Sequence, residues 1–333
     1  MILVTGAAGL VGTELVRRLA AEGRSVRGID ILPAPTPPGA TFILGDLLDR
    51  QTCIRACAGT TAIVHTAARQ HHSGVPRWGR ERFFAANAEM ARNLVEAARA
   101  NGVRHIVLVS SDMVYGLPPN RPLTEADEPN PIGPYGRSKL ASEQICTDAR
   151  KDGIQVTILR PRLIIGPGRL GILRKLFDRI RAGKSVPMLG HGRHRYQMVS
   201  VADVAAACAL ALRTPCNDTF NLGSADPPSV RDLLTDVIRR AGSPSRLLPL
   251  PSHLACMALW SLHAVRMAPL VPEQFRIADV DYVLDTTRAA RGIGWRPELS
   301  DTDMLWSAYR TYAARCDAAA APSGGGPPNP RAA

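Results

Sequence analysis

Tyr135 and Lys139 stand four positions apart in the stretch GPYGRSKLASEQI (133–145). On an α-helix, positions i and i+4 share a face, so this spacing sets a phenol one turn from an ammonium. The lysine is conspicuous, because of 41 basic residues only four are lysine: Lys139, Lys151, Lys175 and Lys184. A phenol of pKa about 10 is a poor base at neutral pH, but a nearby cation favours its phenolate and lowers that value. Such a base suits the removal of hydride from a carbinol carbon, where the hydroxyl proton must leave at the same time. The segment LVSSDMVYG (108–116) supplies Ser110 and Ser111 at a strand end, where a hydroxyl would complete the site. Each residue alone also has a bland use: tyrosines pack, and strand-end serines satisfy turn backbones. Their order after a glycine-rich turn favours chemistry.

That turn is VTGAAGLVG, in which Gly6, Gly9 and Gly12 follow a strand-like apolar run and open a helical stretch through Leu10 and Val11. Missing Cβ atoms let backbone N–H groups at a helix N-terminus face a pyrophosphate, and the last glycine lets helix and sheet pack closely. The next strand, SVRGID, ends in Asp30 followed by Ile31. A carboxylate there accepts hydrogen bonds from an adenosine ribose diol and repels a 2′-phosphate, which favours NAD over NADP. Arg27 on the same strand argues the other way.

The elements that must carry these residues alternate. Short β-type runs (ILVT, SVRGID, TFIL, TAIVHT, HIVLVS, QVTILR) are separated by helical stretches at 11–22, 49–57 and 81–101 and by the helix of Lys139. Continuous apolar strands between such helices indicate an α/β, Rossmann-type doubly wound parallel sheet covered on both faces. Past about residue 165 the alternation loosens, with helices expected at 171–182, 201–213, 229–241, 252–267 and 300–315. We read residues 1–165 as the dinucleotide-binding domain, with the chain returning to it from the second half. Residues 166–316 read as a smaller, mostly helical substrate lobe, and 317–333, which lacks apolar periodicity, as a disordered tail.

Composition excludes other classes. The content is 45% hydrophobic and 21% charged, ordinary for a soluble globular chain. Seven scattered cysteines without a C-x-x-C pair indicate neither a disulfide framework nor a zinc site and suit a reducing cytoplasm. The N-terminus lacks the basic region of a signal peptide, and the apolar stretch 254–270 is interrupted by His263 and Arg266. That stretch is expected to be a buried or lid helix rather than a membrane element. The net charge of +12 is spread along the chain instead of clustering with aromatics, which speaks against nucleic acid. His191 and His194 read as loop residues rather than metal ligands, since no acidic or cysteine residue accompanies them in sequence.

Over residues 1–312 the chain resembles the extended short-chain dehydrogenase/reductases, and among them the NAD-dependent epimerase/dehydratase group that acts mostly on nucleotide sugars. The motifs that carry the resemblance are TGAAGLVG, GDLLD (45–49), VHTAA (64–68), SSDMVYG (110–116), YGRSK (135–139), LRPRLIIGPG (159–168) and IGWRP (293–297). The resemblance implies Tyr135 as general base, Lys139 as the holder of the nicotinamide ribose that also lowers the tyrosine pKa, and Ser111 as the binder of the substrate hydroxyl. It implies further that Asp46 and Leu47 flank adenine, that Thr66, Ala67, Ala68 and Val109 line the cofactor channel, and that Pro161 lies near the nicotinamide. Asp112 and Met113 fall where the group's 4,6-dehydratases carry an Asp-Glu pair. A thioether exchanges no proton, so Met113 disfavours dehydration and the related decarboxylation.

The group's second lobe commonly offers arginines to a diphosphate, which a guanidinium fork matches. Arg195 in GRHRYQMVSVADVA and Arg276 in FRIADV are the candidates here, although Arg195 sits one position early and Gln197 replaces the family's aspartate. His71 and His72, after VHTAA, are near enough in sequence to reach a sugar. The expected activity is a nucleotide-sugar 4-epimerase working by transient oxidation with NAD. The alternatives are a net dehydrogenase or reductase of a sugar, cyclitol or steroid-like alcohol, and a non-catalytic NAD-binding protein. The resemblance also implies a homodimer.

Overall fold

The computed structural model describes residues 1–70, 79–167, 173–251, 257, 277 and 279–320. The apolar stretch 254–270 apart from Met257, the His71–His72 pair and Arg276 therefore lie outside the described residues. Among the described residues, no helix is long and apolar enough to cross a membrane.

The alternation of the first half folds as strands β1 (Ile2–Thr5), β2 (Val26–Asp30), β3 (Ala40–Leu44), β4 (Ala62–His65), β5 (His105–Val109) and β6 (Gln155–Pro161). Between them run α1 (Leu10–Ala21), α2 (Arg50–Cys57), α3 (Arg80–Ala100) and α4 (Pro134–Asp148). The second half contributes β7 (Leu163–Ile165), α5 (Leu173–Arg181), β8 (Val186–Leu189), β9 (Met198–Ser200), α6 (Val201–Arg213), β10 (Thr219–Leu222), α7 (Val230–Arg240) and β11 (Leu247–Leu250). Two further helices, α8 (Thr287–Gly292) and α9 (Asp301–Ala320), follow.

Seven parallel strands form one sheet in the order β10-β6-β5-β4-β1-β2-β3. The order reverses at β1, which pairs with both β2 and β4, so the crevice where such sheets bind ligands opens beside the glycine turn. Strands β1, β4 and β5 are buried along their whole length, because helices cover both faces. One face packs Leu15, Val16 and Leu19 of α1 with Val204, Ala205 and Cys208 of α6. The other packs Cys53, Met90, Leu94, Val95 and Cys146 from α2, α3 and α4. Through β10 and α6 the second half of the chain thus supplies an edge strand of this sheet and part of its cover.

Helix starts follow local chemistry. Pro134 stands at the first position of α4, where its missing N–H costs nothing. Ser200 caps α6 by accepting from the Asp203 N–H. The second lobe gathers Phe177, Ile180, Leu233, Val237, Leu305 and Tyr309 into a separate core. It also carries two small parallel sheets, β8–β11 and β7–β9, which the loosened alternation concealed. Helix α9 runs to Ala320, past the point at 317 where the sequence pattern ends.

Candidate active site

The glycine turn is a tight cradle. Gly6 adopts φ +69°, and a Cβ there would stand 2.7 Å from the Ala67 nitrogen. A Cβ on Gly12 would lie 2.1 Å from the Gly6 carbonyl oxygen, so α1 approaches the turn as only glycine permits. Gly9 donates its N–H to the same carbonyl at 2.9 Å. The Asp30 carboxylate fixes the rim, accepting from the Ala8 N–H at 3.0 Å and from the Leu32 N–H at 3.0 Å. Arg27 is committed elsewhere: its guanidinium donates to the Ala56 and Ala58 carbonyls at 2.8 and 2.7 Å, at the end of α2. The structure thereby removes the sequence argument for a 2′-phosphate contact by Arg27.

Beneath the cradle, the ends of β1 and β4 are stitched together. Thr66 donates to the Thr5 carbonyl at 2.7 Å, and the Thr5 hydroxyl pairs with the His65 ring at 2.7 Å. Burial, and then the nearby Lys139 cation, push the His65 pKa down to about 3, so its ring is neutral. These bonds bring Thr66 and Ala67 against Gly6, with Ala68 exposed beyond them. Leu10 flanks the core at the head of α1, and Val11 is buried within it. Ile31 is 64% exposed at the rim. Asp46 closes a turn by accepting from the Leu48 N–H at 2.9 Å. Leu47, expected beside adenine, buries its side chain in the core under α3.

The reactive constellation forms where α4 meets the end of β5. Gly136 makes this approach possible, because a Cβ there would stand 2.4 Å from the Met113 carbonyl oxygen. Lys139 is 3% exposed, and its ammonium donates to the Val109 carbonyl at 2.7 Å. Burial pulls its pKa down to about 8, against which Glu143 acts to raise it. One turn earlier on α4, Tyr135 is half-buried and meets the Phe84 ring edge-on at 5.7 Å. Ser111 accepts from the Met113 N–H at 3.2 Å and donates to Asp112 at 3.0 Å. Pro161 ends β6 in register with Leu222 of β10.

Asp112 does not stand open in the cleft. Its second oxygen accepts from Arg162 at 2.7 Å, and both residues are buried. The Arg162 guanidinium lies between the Tyr196 and Tyr282 rings, 4.2 and 4.0 Å from their centroids. Tyr282 donates to the Asp112 carbonyl at 2.9 Å. Through Tyr196 and Tyr282, Asp112 and Arg162 thus tie the Ser111 turn to the second half of the chain. Met113 packs with Val114, Tyr115 and Tyr282.

Arg195 is held by Asp281, through its backbone N–H at 2.6 Å and its guanidinium at 3.5 Å. His194 is paired with Asp279, whose carboxylate lies 3.3 Å from the ring, an acidic neighbour that adjacency in sequence did not reveal. Gln197 is buried and ties chain segments together, donating to the Ser224 and Leu284 carbonyls and accepting from the Leu284 N–H. The residues that sequence reasoning missed are Arg162, Glu143 and Arg160. Glu143 continues the four-residue step 135–139–143, the one signal that would have found it.

The donor set, a glycine cradle with a carboxylate at its rim and a buried ammonium at the sheet edge, fits a dinucleotide laid across the switch point. The model of the NAD dependent epimerase/dehydratase family matches residues 2–223. This chain belongs to that family. A UDP-glucose 4-epimerase of Mycolicibacterium smegmatis is 30% identical over 319 residues, covering 90% of this chain and 94% of that enzyme. The uncharacterized protein y4nG of Sinorhizobium fredii is 34% identical over 315 residues, covering 94% of this chain and 78% of that protein. Among solved structures, the dTDP-glucose 4,6-dehydratase DesIV of Streptomyces venezuelae, with NAD and TYD bound, superposes with a TM-score of 0.75 at 26% identity. That match covers 95% of this chain and 98% of that one. The family member described here is an enzyme of the extended short-chain dehydrogenase/reductase type.

Proposed function

We propose that this enzyme is an NAD-dependent nucleotide-sugar epimerase that inverts a ring carbinol through a transient ketone. The observation that carries the reading is the buried Lys139 ammonium, fixed on the Val109 carbonyl at the end of β5 and one helical turn from Tyr135. When bound, NAD supplies the electron sink for the carbinol carbon and returns the pair afterwards. The chain's own residues do the rest. Gly6, Gly9 and Gly12 admit the pyrophosphate, and Asp30 holds the adenosine ribose diol. Lys139 favours the Tyr135 phenolate, which takes the substrate hydroxyl proton and later gives it back to the ketone oxygen, once the ring presents its other face to the returning electron pair. Ser111 orients that hydroxyl, its own proton drawn towards Asp112 at 3.0 Å. Met113 supplies no acid for elimination, which supports epimerisation over dehydration. The 30% identity across nearly the whole of a UDP-glucose 4-epimerase supports the substrate class.

One observation favours a second reading. Arg195, the candidate contact for a diphosphate, is engaged by Asp281. If no other cation meets the diphosphate, a net dehydrogenase of a less charged alcohol becomes the better account. Incubating the purified enzyme with UDP-galactose separates the two. Epimerisation gives UDP-glucose with no lasting gain in NADH absorbance. No UDP-glucose, together with stoichiometric NADH formed from an uncharged secondary alcohol, overturns the epimerase reading. The family resemblance further supports a homodimer, which light scattering of the purified chain tests.

A further inference from the structure

Behind the Tyr135–Lys139 pair lies a buried charge cluster that the proposed reaction does not use. Glu143, one further turn along α4, accepts from both Nε and Nη2 of Arg160 at 3.0 and 2.7 Å, and both side chains are almost wholly buried. The Ser110 hydroxyl donates to Glu143 at 2.5 Å. Ser110 follows Val109, whose carbonyl receives the Lys139 ammonium. Consecutive residues of one strand end therefore fix the ammonium and the carboxylate side by side. Arg160 is itself braced, its guanidinium lying 4.8 Å from the centre of the Tyr115 ring, and Tyr115 donates to Asn221 at 2.8 Å.

A buried ammonium is expensive and tends to shed its proton. The Val109 carbonyl offers one dipole, and the neutral His65 ring on β4 offers no counter-charge. Cys146 on α4 has its thiol pushed up to about 12 by burial, so it too stays uncharged. Of the groups facing Lys139 from α4, β4 and β5, Glu143 is the one that carries negative charge.

We propose that Glu143 is a positioning residue acting through Lys139: held in place by Arg160 and Ser110, its carboxylate keeps the buried ammonium protonated and thereby keeps Tyr135 usable as a base. Arg160 sets the strength of this effect. With the guanidinium present the cluster of Arg160, Glu143 and Lys139 carries one net positive charge, which favours a phenolate beside it. Without the guanidinium the carboxylate would cancel the ammonium and that preference would fade. The inference deepens the proposed function and rests on its assignment of Tyr135 and Lys139.

Lysine labelled with carbon-13 at Cε reads the effect without any substrate. Lys139 is the buried one of the chain's four lysines, since Lys151, Lys175 and Lys184 are exposed. Its titration in the full-length chain, with and without saturating NAD, is therefore separable from the rest. Charges on neighbouring turns, about 6 Å apart at an effective dielectric of about 20, couple by roughly two pKa units. In Glu143→Gln the Lys139 midpoint should fall by about one unit or more, and in Arg160→Met it should rise. Because Glu143→Gln strands a buried guanidinium, the double variant Glu143→Gln/Arg160→Met removes the pair together, and there too the midpoint should fall. The alkaline limb of the activity profile should move with it. A Lys139 midpoint unchanged to within about 0.3 unit in both Glu143 variants overturns the inference. A shifted midpoint in a protein without alcohol chemistry would leave this coupling standing and sink the proposed function instead.

Discussion

Replacing Gly12 by alanine tests the cofactor cradle with a single methyl group. The added Cβ would meet the Gly6 carbonyl oxygen at 2.1 Å, the Gly6 carbonyl carbon at 2.7 Å and the Ala7 Cα at 2.9 Å, all backbone atoms. Ordinary contact needs about 3.4 Å, so α1 or the turn must move by roughly 1 Å. The turn has little freedom to yield, because the Ala8 N–H is held by Asp30 and Gly6 abuts Ala67. Overpacking of this kind costs about 1–3 kcal/mol of stability. The same displacement carries the N-terminal N–H groups of α1 away from the pyrophosphate. Hydrogen bonds to a charged group contribute about 1.5–3 kcal/mol each, so losing one or two weakens NAD binding by about two orders of magnitude. Gly23→Ala is the control. Unlike Gly12 it has a positive φ, +71°, and nothing lies within 4 Å of its Cβ position, so it loses stability without touching the cradle. Calorimetric titration of NAD into both variants, beside urea unfolding, separates the effects. Gly12→Ala binding NAD within about threefold of the parent would refute the reasoning.

Two stability predictions follow from buried groups. Arg162→Met leaves the Asp112 carboxylate buried and unpaired, which should cost about 3–5 kcal/mol in urea unfolding. A loss under about 1 kcal/mol would mean that the pair does not hold the Ser111 turn as described. His65 binds a proton in the unfolded chain near pH 6.5, but in the folded chain only near 3. Between those values the unfolded state therefore holds more protons, and stability falls as pH falls, by on the order of 4 kcal/mol from this residue. His65→Asn should flatten that acid limb, and an unchanged limb would show that His65 does not supply it.

The sheet was legible because parallel strands buried on both faces leave continuous apolar runs, and α6 at Val201–Arg213 follows the expected 201–213 span. The second lobe was less so. The strands β7, β8, β9 and β11 have three or four residues each and, unlike the equally short β1 and β4, are not set off as continuous apolar runs between long helices. The reactive pair was readable from a local i, i+4 spacing. What fixes its surroundings was not: Arg162 meets Asp112 across 50 positions of chain, and Tyr282 reaches the Asp112 carbonyl across 170. Asp112 stands out in sequence because it falls where the family's dehydratases carry the first residue of an Asp-Glu pair, and here a buried arginine pairs with it. Leu47 is likewise a motif position whose side chain turns into the core, which local spacing does not reveal.

Tyr135→Phe probes the centre of the account, because it removes one oxygen and leaves the edge-on packing on Phe84 in place. Turnover of UDP-galactose by the parent and the variant, each loaded with NAD, is the deciding measurement. The account predicts a loss of about 10³-fold or more with NAD affinity unchanged. Turnover equal to that of the parent would contradict it.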